Sequence, residues 1–157
     1  MAKKKQSKKT PRRSAEKREL ISLPPPFPLA MVVCDRIHRD PGTGKLFILG
    51  CFSIIGVETL PATHLEMGLY VELTNGRGKI PIRVRLVDAD EERDPIWETT
   101  DDFESEDPRT VMQLAFDIRG LQFEHAGEYR FQLFACSEFL MERRIIVLTQ
   151  KQLTEES

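Results

Sequence analysis

One segment near the C-terminal end constrains the fold of this chain more than any other. Residues 127–134, Gly-Glu-Tyr-Arg-Phe-Gln-Leu-Phe, place a glycine two positions before a tyrosine that opens a strand of alternating residues. In sandwiches with a tyrosine corner, a tyrosine at this position donates its phenolic hydroxyl to backbone a few residues upstream. The segment therefore predicts two packed β-sheets with Tyr129 at a corner.

The chain from residue 29 onward has the pattern of an all-β domain. Short runs of β-branched and aromatic residues are separated by turn residues, and no helical period is sustained beyond one turn. In residues 79–88 apolar and polar positions alternate, which is typical of a strand with one buried and one solvated face. We expect eight strands, at residues 29–37, 45–55, 66–74, 79–88, 96–103, 110–118, 128–136 and 139–149.

Two segments are predicted to be hairpin turns. Residues 40–44, Asp-Pro-Gly-Thr-Gly, and residues 75–78, Asn-Gly-Arg-Gly, supply the residues that tight turns between antiparallel strands require. A hairpin at 75–78 would place Glu72 opposite or diagonal to Arg83 or Arg85, as a cross-strand ion pair.

Sequential strands without crossover helices favour a single antiparallel two-sheet β-sandwich, immunoglobulin-like in architecture, over an α/β fold. A small barrel is the alternative. We assign the domain to residues 29–150 and expect residues 151–157 to form a flexible C-terminus. The predicted core consists of Met31, Val33, Leu46, Ile48, Leu69, Val71, Ile82, Val84, Leu114, Phe116, Tyr129, Phe131 and Leu133.

The N-terminal residues differ from the domain in composition. Residues 1–18 carry nine Lys and Arg and one acid. Because residues 1–22 contain almost nothing to bury, they are predicted to be a disordered basic tail, joined to the domain by a proline-rich linker at residues 23–28. Flexible cations bind RNA, DNA or anionic lipid through counterion release, and a solubilising tail is the alternative. The candidate polyanion-binding residues are Lys3, Lys4, Lys5, Lys8, Lys9, Arg12 and Arg13.

The domain itself is acidic, and one stretch accounts for this. Residues 88–107 hold eleven Asp and Glu and one arginine. A solvated loop is the simplest interpretation, and the alternatives are a weak cation site or a surface that contacts the tail or another basic partner.

No arrangement of residues in the sequence predicts an enzyme, a cofactor or a metal site. The segment at 40–46 fails as a phosphate loop, because Arg39 replaces the first glycine and Leu46 replaces the hydroxyl residue. Asp35 is expected to face solvent or to pair with a nearby arginine, and a catalytic role is not expected because no partnering base accompanies it. The histidines are expected to be surface turn residues rather than metal ligands; they are His38, His64 and His125.

The cysteines and the hydropathy pattern indicate the compartment. Cys34, Cys51 and Cys136 are widely spaced within apolar runs and are predicted to be buried thiols in a reducing environment; a disulfide between two of them is the alternative if the protein is exported. The basic N-terminal stretch lacks the apolar segment of a signal peptide, and no run is long enough for a membrane span. We therefore expect a cytoplasmic protein.

Residues 30–35, residues 44–52 and the segment from Gly120-Leu121 through residues 127–131 resemble a family of small uncharacterised bacterial proteins that carry a domain of unknown function. The resemblance covers about residues 29–149. It implies a single immunoglobulin-like sandwich without an established activity, so no functional residue is carried over from it.

The function is thus unknown from the sequence, and two hypotheses remain. The first is a non-enzymatic interaction module that binds an unidentified protein partner through an exposed sheet face or edge strand. The alternative is a nucleic-acid-associated protein that binds through its basic N-terminal tail. The oligomeric state stays open.

Overall fold

The computed structural model describes residues 24–90 and 93–155, and within them it contains nine β-strands and one short helix. The strands are β1 (Phe27–Arg39), β2 (Leu46–Cys51), β3 (Ile54–Val57), β4 (Ala62–Thr74), β5 (Gly78–Asp88), β6 (Trp97–Ser105), β7 (Met112–Phe123), β8 (Gly127–Ala135) and β9 (Glu138–Thr149). The helix is α1 (Gln150–Glu155). No helix of the described residues is long and apolar enough to cross a membrane.

The strands form two sheets. The first has the order β2-β1-β4-β7, and all of its pairs are antiparallel. The second has the order β3-β9-β8-β5-β6; β3 runs parallel to β9 and the other pairs are antiparallel. The prediction of an all-β fold with two sheets is confirmed, whereas the prediction that the sheets are purely antiparallel is wrong.

The parallel pair arises where one predicted strand is in fact two. The apolar run at 45–55 is interrupted at Phe52 and Ser53, where the chain leaves the first sheet and enters the second. The N–H of Phe52 still donates to Val33 O of β1 at 3.1 Å, and the carbonyl of Ser53 already accepts from Ile146 N of β9 at 2.9 Å. Two residues therefore carry the chain from one sheet to the other.

The segment at 75–78 is a connection between the sheets and not a hairpin, because β4 lies in the first sheet and β5 in the second. Each of the two strands has one buried face. The alternation of apolar and polar residues is therefore the same whether the strands pair within one sheet or lie in two sheets that face each other. The predicted pairing of Glu72 with Arg83 or Arg85 is therefore wrong. Glu72 instead accepts hydrogen bonds from Tyr70 Oη and, at 3.3 Å, from Gln113 Nε2 on β7.

The core lies between the sheets and includes most of the residues predicted for it. Of the predicted set, only Leu46, Ile48 and Phe116 are half-buried rather than buried. The fully buried large side chains include Phe123 and Phe131. Burying each side chain of this size contributes about 1.5–3 kcal/mol.

Tyr129 forms the predicted corner contact. Its hydroxyl donates to the carbonyl of His125 at 2.7 Å, and its ring packs edge-on against Phe123 at 4.9 Å between centroids. Gly127 has a φ of +127°, which a residue with a side chain rarely adopts. The local sequence signal thus specifies a real structural contact.

The ends of the domain differ slightly from expectation. β1 begins at Phe27, within the segment assigned to the linker, and Pro26 before it is buried. At the other end, residues 150–155 form α1, where a flexible C-terminus is predicted. Leu153 of this helix packs onto Gly56 of β3, so closely that a Cβ there would meet Leu153 Cδ1 at 2.8 Å.

Candidate interaction surfaces

The free edge of β2 is the first candidate site. The strand reads Leu-Phe-Ile-Leu-Gly-Cys and contains neither charge nor proline. It pairs with β1 on one side only, and no other strand of the described residues pairs with its second side. Its burial alternates, with Leu46 and Ile48 half-buried and Phe47 and Leu49 each 49% exposed. The edge therefore offers unpaired backbone groups between apolar side chains.

The other three sheet edges in residues 24–90 and 93–155 carry features that discourage pairing. β3 is only four residues long, and Leu153 of α1 packs against Gly56 on its face. β7 exposes Asp117 and Arg119 in its middle. β6 is acidic along its length. Short, covered or charged edges are the usual means by which proteins avoid edge-to-edge association, and β2 has none of them.

The neighbouring strand β1 places two polar side chains beside the exposed residues of β2. Arg36 is in register with Leu49 and His38 with Phe47, whose ring centroid lies 6.3 Å from the imidazole. Arg36 forms an exposed ion pair with Glu66 at 3.3 Å. The exposed apolar residues of β2 thus have an arginine and a histidine beside them, and aromatic residues and arginine are enriched in protein interfaces.

A second candidate is a cleft of about 560 Å³ on the outer face of the second sheet. Arg83 and Arg85 of β5 both lie over the ring of Phe134 on β8, with guanidinium carbons 4.3 and 5.1 Å from the centroid. Arg85 also donates to Gln132 Oε1 at 2.8 Å. Such contacts orient the cations, and an Arg stacked on an aromatic ring is a frequent contact residue in interfaces. The lining consists of Pro81, Ile82, Arg83, Thr100, Asp101, Asp102, Phe134 and Ser137.

Asp35 and His64, which are 29 residues apart in the sequence, line one cleft of about 220 Å³ together with Phe52. The imidazole of His64 packs on the ring of Phe52 at 5.9 Å between centroids. His64 lies in β4 and His38 in β1, so the prediction that these two histidines are turn residues is wrong. Asp35 is exposed as predicted. Within the described part of the chain no hydrogen bond joins the two side chains, and no Ser or Cys lines the cleft.

The cysteines differ in environment. All three are free thiols; Cys34 is buried, Cys136 is half-buried and Cys51 is exposed, so the prediction of three buried thiols is wrong for Cys51. Burial raises the pKa of the Cys34 thiol, and the nearby Cys51 raises it further. Cys51 is thus the accessible thiol, and it lies at the end of the β2 edge.

Several predicted features stay predictions. The candidate polyanion-binding residues, from Lys3 to Arg13, lie outside the described residues. In the acidic stretch, Arg93 pairs with Asp88 at 3.2 Å. Across residues 24–90 and 93–155, no three His, Cys, Asp or Glu side chains come together in a way that could hold a metal ion.

Comparison with known proteins places the chain in a family. Residues 29–148 match the model of DUF6941, a family of unknown function. The chain belongs to DUF6941. No curated protein matches it. The match confirms the predicted relationship to a domain of unknown function over almost the same residues.

Both candidate surfaces lie inside the DUF6941 match, because β2, β5, β6 and β8 all fall within residues 29–148. The basic segment at residues 1–18 lies outside it. The sequence predicts an interaction through an exposed sheet face or edge strand but does not single out β2, of which only Leu46 and Ile48 are assigned to the core. The signal that could have revealed it is the absence of any charge over residues 46–51.

Proposed function

We propose that this DUF6941 protein is a non-enzymatic interaction module that binds an extended apolar segment of a partner protein along β2. The observation that carries the proposal is that β2 is uncharged and open, while the other edges of the described residues are short or charged. An added strand would form main-chain hydrogen bonds with β2, and its side chains would contact Phe47 and Leu49.

Three further attributes belong to the same proposal. An immunoglobulin-like sandwich is supported by the corner bond between Tyr129 and His125. A cytoplasmic location is supported by the three free thiols. A bacterial source follows only from the resemblance noted in the sequence.

Selection of peptides from a random library displayed on phage, followed by affinity measurement with the full chain, tests the proposal. Leu49→Lys places a charge on the β2 edge and should weaken selected peptides about tenfold or more. Leu65→Lys is the matched control, because Leu65 is 80% exposed but lies on β4, a central strand. If the selected peptides bind both variants with the same affinity as the wild type, the binding surface lies elsewhere.

The basic segment favours a second candidate function, association with nucleic acid. Nine cations within residues 1–18 would release counterions from a polyanion, so the logarithm of the binding constant should fall linearly with the logarithm of salt concentration. Replacing the seven candidate residues, Lys3 to Arg13, by glutamine in the full chain leaves two of the nine cations and should reduce the slope of that dependence several-fold. Binding of RNA or DNA that is unchanged by the replacement contradicts this function.

A further inference from the structure

Arg83 of β5 differs from the other partly buried arginines in having no polar partner. Three arginines of residues 24–90 and 93–155 are half-buried: Arg83, Arg85 and Arg130. Arg85 and Arg130 each donate hydrogen bonds to a side chain of β8, whereas Arg83 makes neither a hydrogen bond nor an ion pair with any described residue. Its guanidinium carbon lies 4.3 Å from the centroid of Phe134. A guanidinium carries its N–H donors in its own plane, so contact with a ring leaves them without an acceptor.

The register of the second sheet places Arg83 in the wall of the cleft of about 560 Å³. Thr100 on β6 and Phe134 on β8 are its register partners, and paired residues project on the same face of a sheet. At the end of the cleft, a backbone hydrogen bond of 3.0 Å to Pro81 O holds the turn that carries Ser137 beside β5. The cleft therefore brings together a guanidinium, two hydroxyl groups and an aromatic ring.

The charges that line the cleft do not cancel. Asp102 pairs with Lys79 at 3.1 Å, so its negative charge already has a counterion. Asp101 is the register partner of the buried Ile82, so its side chain belongs to the opposite face of β6. The positive charge of Arg83 is therefore left uncompensated among the described residues, and it favours an anionic ligand.

The rest of β6 limits what that anion can be. Glu98 and Glu104 lie on the same face of the strand as Thr100 and Asp102, because each is an even number of residues away. Both glutamates are exposed. A polyanion would place further negative charges beside them, whereas a carboxylate carries only one. A planar carboxylate also matches the fork of donors that a guanidinium presents.

The cleft also has an apolar side. Pro81 and Phe134 line it, and Phe139, which is 52% exposed, packs edge-on against Phe134 at 5.7 Å between ring centroids. The volume of the cleft is within the range of small-molecule sites. A ligand that matches both sides has a carboxylate at one end and an apolar body.

We propose that this cleft between β5, β6 and β8 binds a carboxylate ligand with an apolar body. The carboxylate accepts hydrogen bonds from Arg83, with the hydroxyl groups of Thr100 and Ser137 beside it, and the body packs on Phe134. A free organic acid and the C-terminal residue of a peptide share this chemistry. The proposal does not depend on the use of β2.

Titration of the full chain with matched probes, followed by NMR spectroscopy, tests the proposal. Phenylacetate should bind with a dissociation constant of about 1 mM and shift the amide signals of residues 81–83, 100–102 and 134–137. Phenylacetamide has nearly the same shape but no charge, and should bind about tenfold more weakly. Equal binding of the acid and the amide, or shifts confined to other residues, would overturn the proposal. Tighter binding of phenyl phosphate than of phenylacetate would overturn the choice of a carboxylate.

Variants of the chain test the role of the guanidinium. Arg83→Gln should lower the affinity for phenylacetate about tenfold, and Thr100→Val, which removes a hydroxyl at nearly constant volume, about threefold. Arg143→Gln is the matched control and should leave the affinity unchanged, because Arg143 is exposed on β9 of the same sheet and does not line the cleft. Unchanged binding by Arg83→Gln, or an equal loss of affinity in Arg143→Gln, contradicts the proposal.

Two peptides distinguish the sources of the carboxylate. A pentapeptide that ends in phenylalanine is compared with the same peptide carrying a C-terminal amide. If the free acid form binds more tightly than phenylacetate and the amide does not bind, the ligand is a chain terminus. If phenylacetate binds and neither peptide does, the ligand is a small organic acid. Equal binding of the two peptides contradicts recognition of a carboxylate.

Discussion

The hydroxyl of Tyr129 donates a hydrogen bond of 2.7 Å to the backbone carbonyl of His125, four residues earlier in the chain. The tyrosine is 3% exposed, so its hydroxyl depends on this partner. The bond holds the turn that leads from β7 of the first sheet into β8 of the second. It therefore fixes a link between the two sheets.

Tyr129→Phe should lower the free energy of unfolding by about 1–2 kcal/mol, because it removes the bond and leaves a carbonyl without its donor. Urea denaturation measures the change. His125→Ala is the matched control: the acceptor is backbone, so stability should stay within about 0.5 kcal/mol of the wild type. Equal effects of the two substitutions would show that the bond does not stabilise the corner.

Stability should fall at alkaline pH. Burial, followed by interaction with Glu72, raises the pKa of Tyr70 to about 12, and burial also raises the pKa of Tyr129. A folded-state pKa above the unfolded value of 10.0 means that the native state holds its proton more tightly. This stabilisation is complete below pH 10 and is lost as pH rises through 12. Urea unfolding of Tyr70→Phe should show a shallower decline; the same slope as the wild type contradicts the assignment.

Cys34 and Cys51 are register partners on the antiparallel strands β1 and β2. The adjacent pair, Val33 and Phe52, carries a ladder hydrogen bond, so the cysteines occupy a position without one, where Cα atoms approach to about 4.5 Å. This separation lies within the range of a disulfide. We expect diamide to link Cys34 to Cys51, as peptide mapping by mass spectrometry would show. Cys136→Ser is the control and should leave the product unchanged.

Before oxidation the same thiols should differ in reactivity. Cys51 is exposed, whereas burial shields Cys34 and raises its pKa, which lowers its thiolate fraction. Iodoacetamide should modify Cys51 much faster than Cys34 in the folded protein and both equally in urea. Faster modification of Cys34 would contradict its buried position.

Gly50→Ala should destabilise the β1–β2 hairpin more than Gly120→Ala. Both glycines have a φ near +70°, so the alanine suffers a similar backbone strain of about 1 kcal/mol at each position. A Cβ at position 50 would also meet Asp35 Cγ at 2.9 Å, whereas nothing lies within 4 Å at position 120. Thermal unfolding of both variants measures the difference in destabilisation. When Asp35 is also replaced by alanine, the additional destabilisation caused by Gly50→Ala should become smaller.

Local signals in the sequence predict local structure well. The corner at Tyr129 and the hairpin at 40–44 depend on residues close together in the chain; Asp40 there accepts bonds from Gly42 N and Thr43 Oγ1, which lower the pKa of its carboxyl group. The core positions follow from alternation, since an apolar face of a strand must be buried against something.

The alternation of apolar and polar residues does not show which strand or sheet a buried face packs against. Val71 and Val84 are both buried, but one belongs to each sheet, and no pattern in residues 75–78 distinguishes a hairpin from a crossing. Alternation likewise puts Phe47 and Leu49 on the face opposite Leu46 and Ile48, but it does not show that this face is left uncovered. Apolarity shows that a residue favours burial, and it does not show whether the covering surface belongs to the same molecule.

The way the chain alternates between the sheets determines how the protein can be divided. The first sheet is built from β1, β2, β4 and β7, and the second from β3, β5, β6, β8 and β9. If the chain is cut at any point between β3 and β7, each fragment contains strands of both sheets. Neither fragment then contains a complete sheet. The two sheets must consequently assemble together from distant parts of the chain, which slows folding. Split-protein complementation should therefore require both fragments to fold on each other.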